Sequence, residues 1–178
     1  RNDTKVRINY RNIFIAERVY KVMDEVLSSF LVKQSITYEL VKHKPVHTVA
    51  DSESLPPLPG IRTKSLFLKD EHGNFYLITL PGVIRLAIPA LRAHLKVKEL
   101  HFGSPEELKK ELGTTPGSVS PCCLLSACNV HALVHHKVWD AEYVQCHPDT
   151  NAETVVLTQA QFRKLWEALP GTKEVWYE

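Results

Sequence analysis

The sequence has no run of about eighteen apolar residues, and its N-terminus has no charged stretch followed by an apolar one. The first absence argues against a membrane-spanning helix and the second against a secretory signal peptide. Only four cysteines occur among 178 residues. They are too few and too clustered for the disulfide framework of a secreted protein. We therefore expect a cytoplasmic protein with reduced thiols and no membrane partner.

An excess of charge of one sign is also missing. Lysine and arginine number 22, aspartate and glutamate 20, and the formal net charge is +2. This balance excludes a strongly basic protein that coats a polyphosphate, but it leaves room for a local basic patch. Any contact with nucleic acid should therefore be small.

Motifs for metal binding and for nucleophilic catalysis are absent as well. Cys122, Cys123 and Cys128 lie near several histidines, but no C-x2-C pair occurs, so we expect no metal and no other cofactor. Neither a G-x-S-x-G elbow nor a phosphate-binding G-x-x-x-x-G-K-[ST] loop is present. Cys146 and His147 are neighbours on a predicted strand, so their side chains should point to opposite faces and cannot form a dyad. By itself, Cys146 is typical of a small core residue.

Hydrophobic spacing predicts the elements of the first half of the chain. Apolar residues at helical intervals indicate an amphipathic helix over 17–30 that packs on the core. Short extended segments should follow over 37–50, and the prolines of 55–60 predict a loop. Apolar runs at 64–69 and 75–80 flank a glycine-containing turn, which is typical of a β-hairpin.

The second half alternates short helices and strands. A short helix is predicted over 89–95, a strand near Leu100, and a helix that begins with the capping box at Ser104 and ends at Gly113. Strands should cover 130–134, 143–146 and 154–157, and a last helix should begin at Thr158 and end at Gly171. These elements predict an α/β or α+β domain with a mixed β-sheet.

Domain organisation follows from length, because about 100–200 residues make one domain. We expect residues 1–35 to form an N-terminal extension with its helix on the core, and residues 36–178 to form the functional domain. The chain begins at Arg1 rather than Met. It is therefore expected to be trimmed or to come from a longer protein.

Two features could carry chemistry. The segment 115–121 places Gly117 between two prolines, and such a loop can point backbone amides at a ligand oxygen. An ordinary Pro-Gly turn explains the same pattern. Lys64 begins an otherwise apolar strand, where its ammonium could hold a phosphate or polarise a carbonyl, although many such lysines only extend toward water. For His131 and His135 on an alternating strand, a solvated or hydrogen-bonded ring is the common outcome.

Taken together, these segments resemble the YbaK/prolyl-tRNA synthetase-associated family of aminoacyl-tRNA deacylases over about 36–169. Residues 63–70 read TKSLFLKD where the family typically has TKNLFLKD, and 112–121 read LGTTPGSVSP against LGVTPGSVTP. Further matches are HKPVHTV at 43–49, LPG at 58–60, FGS at 102–104 for the family's FAS, and His147-Pro148 with Asn151 and Thr154 for HP-x-x-N-x-x-T.

The resemblance also indicates a branch of the family. The cysteine-removing branch usually carries S-G-G-x-R-G where this chain has residues 147–154, so the chain resembles the alanine-removing, ProXp-like type. That type removes alanine misattached to the proline tRNA, either free-standing or joined to prolyl-tRNA synthetase. The resemblance implies a mixed sheet curled into a barrel-like core with flanking helices. It also implies as partners the acceptor end of a tRNA that carries a wrong amino acid, and a prolyl-tRNA synthetase, fused or in a complex.

The family's site residues carry over by position. Lys64 resembles the essential lysine, and 117–121 resembles the G-x-x-x-P loop, which assigns a catalytic role to Gly117, Ser118, Val119 and Pro121. The residues expected to contact substrate are Thr63, Ser65, Cys146, His147, Asn151 and Thr154. Ser65 departs from the family's asparagine, and Ala152-Glu153 departs from its Thr-Ala. These departures affect one amide contact and the edge of the pocket.

A proofreading enzyme of this kind has a physical rationale. A synthetase pocket shaped for proline discriminates against a smaller amino acid by only about 1–3 kcal/mol per methylene, so a second site must correct errors. We expect a small apolar pocket, loop amides on the ester carbonyl, Lys64 at the terminal adenosine phosphate or the ester, and water attack assisted by the substrate's ribose hydroxyl. The alternative is a catalytically silent module of this fold that binds tRNA or docks to a synthetase. A thiol- or zinc-dependent enzyme ranks third.

Overall fold

The computed structural model describes residues 23–45, 57–127 and 129–178. Predictions that fall on 1–22, 46–56 and Cys128 lie outside these residues. Helix α1 (Glu25–Lys33) begins after Asp24, whose side chain accepts a hydrogen bond from the Val26 amide. The start predicted at residue 17 lies outside the described residues. Within them the helix begins only at Glu25, and it ends at Lys33 rather than at residue 30 as predicted.

One side of α1 faces the core. Leu27 and Leu31, four residues apart, are buried in the main core, whereas Val26 is 68% exposed. One turn of an α-helix brings residues four apart onto one face, and Val26 lies off that face. Helix α1 and the residue before Asp24 therefore contact the core through Leu27, Leu31 and the partly buried Met23 and Phe30, and not through Val26.

Among the described residues, eight strands form one mixed sheet. They are β1 (Glu39–Lys42), β2 (Ile61–Asp70), β3 (Phe75–Pro81), β4 (Leu100–Phe102), β5 (Val130–His135), β6 (Tyr143–Cys146), β7 (Glu153–Thr158) and β8 (Lys173–Trp176). The order is β1-β7-β6-β2-β3-β5-β8, with β4 paired to β2. The pairs β2–β6, β3–β5 and β5–β8 are parallel and the other pairs are antiparallel. The predicted mixed sheet is confirmed, but strand β8 was not predicted.

The hairpin of β2 and β3 has a polar residue inside its turn. Asp70 is 4% exposed, and its carboxylate accepts hydrogen bonds from the amides of His72 and Asn74, the Asn74 side chain and the Tyr76 hydroxyl. Burial by itself would raise the pKa of Asp70, but these donors hold it below its usual value. A buried carboxylate is tolerated when it is hydrogen-bonded in this way.

Five α-helices and one 3₁₀ helix flank the sheet in the described residues. Besides α1 they are α2 (Ile88–Leu95), α3 (Pro105–Leu112), the 3₁₀ helix (Pro121–Ser126), α4 (His136–Trp139) and α5 (Gln159–Ala168). The capping box at Ser104 and the left-handed Gly113 at the end of α3 are confirmed. The end predicted for α5 was wrong: Leu169 caps it with φ −64°, and Gly171 lies in the following turn.

Both faces of the central strands are buried. Phe67, Leu77 and Ala132 face the larger core, which includes α1 and α5. Leu68, Ile78 and Leu133, each one residue further along its strand, face the smaller core under α2. Successive residues of a strand alternate between the two faces of the sheet, so the sheet lies between two separate cores. Among the residues described, no helix has the length and apolar character needed to cross a membrane.

Candidate functional site

The start of β2 lies beside the end of β6. The parallel pair aligns Ile61 with Val144 and Arg62 with Gln145, and the Thr63 hydroxyl donates to the Gln145 carbonyl at 2.7 Å. Continued by two residues, this register brings Lys64 level with the residue that follows β6, His147. Paired residues of neighbouring strands share a face of the sheet. The structure therefore brings Lys64 and His147 to one side of the β2–β6 edge.

Gln145 anchors the chain where β2 begins. Its side-chain amide is 4% exposed and donates to the carbonyls of Leu58 and Pro59, each at 3.0 Å. Gly60 follows with φ +86°, and a Cβ there would lie 2.1 Å from the Tyr143 carbonyl oxygen. Only glycine permits this close approach. The predicted loop is confirmed over 57–60, and it holds the first residues of β2 against β6.

Lys64 has its ammonium half-buried at the turn after β3. Its Nζ donates to the Gly82 carbonyl at 3.0 Å, while the Gly82 amide donates to the Arg62 carbonyl at 2.8 Å. Burial lowers the pKa of Lys64 from its ordinary value. An ammonium has three hydrogens, so two remain for other acceptors after the Gly82 bond. This arrangement supplies a positioned cation with partial shielding from water.

His147 and His43 form a pair of half-buried and buried rings, with centroids 6.1 Å apart. Each Nδ1 faces a backbone carbonyl at 2.8 Å, that of Glu153 for His147 and that of Lys44 for His43. A carbonyl only accepts, so each Nδ1 carries the proton and each Nε2 is an acceptor. His43 Nε2 accepts a hydrogen bond from the Thr154 hydroxyl at 2.9 Å. His147 Nε2 thus presents a lone pair in a defined direction.

Burial lowers the pKa of both rings, and the positive charge of Arg62 lowers each further. For His147 the bond to the Glu153 carbonyl opposes the shift. Both imidazoles are consequently neutral at neutral pH, as acceptor nitrogens require.

The loop from Thr115 to Pro121 has a defined turn. The Ser118 amide donates to the Thr115 carbonyl at 3.1 Å, and Gly117 has φ +91°. Proline followed by a positive-φ glycine is the pattern of a type II turn. The amide of Ser118 is therefore used within the loop and Pro121 has no amide hydrogen, so they cannot be the ligand donors we expected. The exposed Gly117 and the half-buried Val119 carry the amides left to serve a ligand.

The end of this loop contacts the end of β6. Ser120 is 1% exposed and its hydroxyl accepts from the Cys122 amide at 3.2 Å, which starts the 3₁₀ helix. The Cys122 thiol is hydrogen-bonded to Cys146, and this bond together with burial raises the pKa of Cys122. Raised pKa values keep thiols protonated and unreactive. The pair joins the loop to the strand that leads into His147.

The other predicted contact residues have the following places. Cys146 is 4% exposed and lies in the larger core. The Ser65 hydroxyl is within 2.9 Å of the Thr79 hydroxyl, on the opposite face of β2 from Lys64. Thr154 is buried and holds His43, and Asn151 is half-buried in the loop after His147. His147, Thr154 and Lys64 thus approach one another, while Ser65 and Cys146 face the larger core.

A groove of about 150 Å³ lies beside this region, between α1, the 3₁₀ helix and the loop that follows β6. Leu27, Cys122, Thr114 and Asp149 are among its lining residues, and Lys64 and His147 are not. Asp149 has φ +144°, a conformation that L-residues rarely adopt and that is common at functional loops. Because neither Lys64 nor His147 lines the groove, it lies next to the site and is not the site itself.

The histidines of β5 are hydrogen-bonded, which confirms the sequence expectation for them. His131 Nε2 is 3.1 Å from Glu174, and His135 Nε2 is 3.4 Å from Glu178. Within 23–45, 57–127 and 129–178, histidine, cysteine and acidic side chains form no group of three placed to hold a metal ion.

Sequence reasoning missed His43, Arg62 and Glu153 as parts of the site. His43 lies in the segment 43–49 that matches the family, and Arg62 lies two residues before Lys64 on the same strand face. Both positions could therefore have been predicted from the sequence. Glu153 could not be predicted in this way. It is 2% exposed, and its carboxylate accepts from the Met23 amide at 2.7 Å, a contact that only the packing of the N-terminal segment creates.

The lowered histidine pKa values predict acid sensitivity of the fold. Burial holds the pKa of His43, His135 and His147 below 6.5. Below pH 6.5 the unfolded chain binds protons that the folded protein does not, so the free energy of unfolding falls as the pH drops. The slope is at most about 1.4 kcal/mol per pH unit for each histidine. Denaturant unfolding at about pH 7.5 and about pH 5.5 measures it.

Two variants separate this effect from general acid denaturation. His43→Gln removes one buried imidazole and should flatten the slope. His72→Gln changes a histidine whose side chain is 70% exposed and should leave the slope unchanged. Equal slopes in the wild type and His43→Gln would show that protonation of His43 does not cause the loss of stability in acid.

Comparison with known proteins identifies a family and several relatives. The family model for the aminoacyl-tRNA editing domain matches residues 43–165. The prolyl-tRNA editing protein ProX of Acetoanaerobium sticklandii is 29% identical over 142 residues, which cover 77% of this chain and 86% of that protein. Prolyl-tRNA synthetase associated domain-containing protein 1 of Danio rerio is 28% identical over 153 residues, 82% of each chain. A proline–tRNA ligase of Thermotoga maritima is 27% identical over 132 residues, 65% of this chain and 21% of the ligase.

Solved structures share the fold. One crystal structure, described as that of a candidate trans-editing enzyme for prolyl tRNA synthetase, has a TM-score of 0.67 at 17% identity and covers 88% of this chain and 98% of its own. Another, of a hypothetical protein, has a TM-score of 0.69 at 20% identity and covers 84% and 97%. At these identities the likeness concerns the fold, and it extends over nearly the whole of each relative.

Proposed function

Because the chain belongs to the aminoacyl-tRNA editing domain family, and so is an aminoacyl-tRNA deacylase, we propose that it removes alanine misattached to the proline tRNA. One observation carries this proposal. The matched residues 43–165 include Lys64, the loop 117–121 and His147, and the sheet register and the Cys122–Cys146 contact join all three to the end of β6.

The reaction is hydrolysis of an ester. The oxygen of a water attacks the carbonyl carbon of the aminoacyl group, and the carbonyl oxygen becomes negative. The bond to the ribose oxygen then breaks, and that oxygen takes a proton, which releases alanine and intact tRNA. The neighbouring ribose hydroxyl of the substrate assists the water, so no covalent intermediate on the enzyme is needed.

The amides of Gly117 and Val119 are the proposed donors to the developing oxyanion. Backbone donors held in place by a turn need no reorganisation during the reaction, and each contributes about 10²–10³ in rate in known hydrolases. The type II turn and the Ser120 cap provide that rigidity.

Lys64 binds the phosphate of the terminal adenosine or the ester itself. Its half-buried ammonium, held by Gly82, interacts with an anion more strongly than a solvated lysine does, because the local dielectric constant is lower. The neutral His147 orients the substrate by accepting a hydrogen bond at Nε2. Its tautomer is held by the Glu153 carbonyl rather than by a carboxylate, which suits positioning better than general-base catalysis.

Alanine is selected by size, since a pocket that fits a methyl group excludes the proline ring. Ser65 gives no side-chain amide, and its hydroxyl is paired with Thr79, so substrate contacts at this position differ from those of relatives with asparagine. The near-neutral net charge agrees with tRNA identity being read partly by a prolyl-tRNA synthetase, fused or in a complex, in the cytoplasm.

A panel of proline tRNA charged with alanine, serine, cysteine or proline tests the proposal. We expect release of alanine to be the fastest and release of proline to be slower by at least about tenfold, since small differences in side-chain size are each worth roughly 1–3 kcal/mol. Initial rates with radiolabelled amino acids measure the order.

The same panel separates the alternatives. Proline released as fast as alanine would exclude size-selective editing. A shift in tRNA mobility on a native gel without release of any amino acid would instead indicate a silent binding module.

A further inference from the structure

An aromatic stack lies at the end of β5 and β8, outside the site described above. The rings of His135 and His136 are stacked with centroids 4.6 Å apart, and His136 and Tyr177 are stacked at 5.5 Å with planes 15° apart. Trp176 meets His135 edge-on at 5.5 Å. These four residues are called the aromatic stack below. His135 and Trp176 are buried, whereas Tyr177 is 66% exposed.

The inner ring of the stack is held firmly. His135 is 1% exposed, and its Nδ1 accepts the Lys137 amide at 3.1 Å, so Nε2 carries the proton and donates to Glu178 at 3.4 Å. Both nitrogens are used and the ring cannot rotate freely. His136 rests on this ring and Tyr177 rests on His136. A largely exposed tyrosine is thus kept in one orientation.

The sheet register places the inner residues of the stack, His135 and Trp176, on the same row as Lys64, and His136 and Tyr177 follow them at the same end of the sheet. Lys64 pairs with Leu80 across β2 and β3, and Thr79 pairs with Val134 across β3 and β5. The next step along both strands brings Leu80 level with His135, which pairs with Trp176. Strands lie about 4.8 Å apart, and Tyr177 follows Trp176 on β8, three strand spacings from β2, so Lys64 and Tyr177 are separated by roughly 15 Å.

We propose that Tyr177, supported by His136, is a stacking platform for a base of the unpaired 3′ end of the tRNA. This inference rests on the proposed function and names how the same site holds the rest of its substrate. Bases stack on aromatic rings whatever their sequence, because every base has a π-face. The exposed Lys137 next to His136 supplies a cation for the backbone phosphate.

The distance fits a short single strand. Stacked nucleotides rise about 3.4 Å each, so roughly 15 Å corresponds to about four nucleotides. With the esterified terminal adenosine at Lys64, the base on Tyr177 belongs to the same unpaired end and lies a few nucleotides before it. A duplex end without unpaired nucleotides does not reach both points.

Fluorescence anisotropy with the full chain and labelled RNA tests the platform. One probe is an uncharged hairpin with the duplex of an acceptor stem and a four-nucleotide unpaired 3′ end, and the other is the same hairpin with a blunt end. Tyr177→Ala should raise Kd for the first probe about 5- to 100-fold and leave Kd for the blunt probe unchanged. Tyr177→Phe keeps the ring and should bind like the wild type.

Two results would overturn the platform. One is an unchanged Kd for the overhanging probe in Tyr177→Ala, and the other is an equal loss for both probes, which would point to a duplex or purely structural contact. Because the RNA is uncharged, this test does not depend on hydrolysis. Failure of the charged-tRNA panel with retained Tyr177-dependent binding would reject the proposed reaction and keep the platform.

Discussion

Replacing Lys64 by alanine lowers kcat/KM for alanyl-tRNA hydrolysis by about 10²–10³-fold in our expectation, the range seen when one electrostatic donor is removed from a hydrolase site. The reason is the place of the ammonium, which is half-buried, has a pKa lowered by burial and is held by the Gly82 carbonyl. In the proposed mechanism, its removal leaves the substrate's anionic group beside a partly desolvated surface without a counter-charge.

Lys69→Ala is the matched control on the same strand. Its Nζ pairs with Glu107 at 2.6 Å, at the other end of β2, where both side chains are partly exposed. Exposed ion pairs contribute only about 0–1 kcal/mol, so activity should stay near that of the wild type. Single-turnover rates measure the chemical step, and denaturant unfolding shows that Lys64→Ala is folded. Lys64→Ala with a rate like that of Lys69→Ala would remove Lys64 from the site.

Gly117→Ala is the second change with a large expected effect. Gly117 has φ +91°, so a Cβ either strains the turn by about 1–2 kcal/mol or makes the loop adopt another conformation. In the proposed mechanism, a moved loop withdraws the amides of Gly117 and Val119 from the oxyanion. We expect a loss of about 10²–10³-fold in kcat, with a smaller change in KM, because these contacts strengthen in the transition state.

Gly73→Ala gives the same strain without the site. Gly73 has φ +84° in the β2–β3 turn, and a Cβ there would meet only the Lys69 side chain, at 4.0 Å. It should lower the free energy of unfolding by a similar amount and leave kcat unchanged. If both variants lose the same stability and neither loses activity, the loop amides do not bind the oxyanion.

Local patterns predicted most of the elements correctly. The β2–β3 hairpin and the helix after Ser104 depend on alternation, a turn and a capping box, all within a few residues. The errors came where distant packing decides. Helix α1 begins at Glu25, although apolar spacing continues before it, and β8 pairs with β5, which is distant in the sequence. A four-residue strand has little pattern of its own, so only its partner stabilises it.

For the site, the same division holds. The sequence by itself determined the family, the lysine that begins β2, the turn at Gly117 and the histidine after β6, because these depend on residue type and spacing. Only the tertiary structure shows that the Ser118 amide donates a hydrogen bond within the turn, that Cys146 contacts Cys122, and that the His43 ring lies beside that of His147. It also brought Lys64 and the stack under Tyr177 into one row. Strand register and side-chain burial join residues far apart in the chain, and no local pattern encodes them.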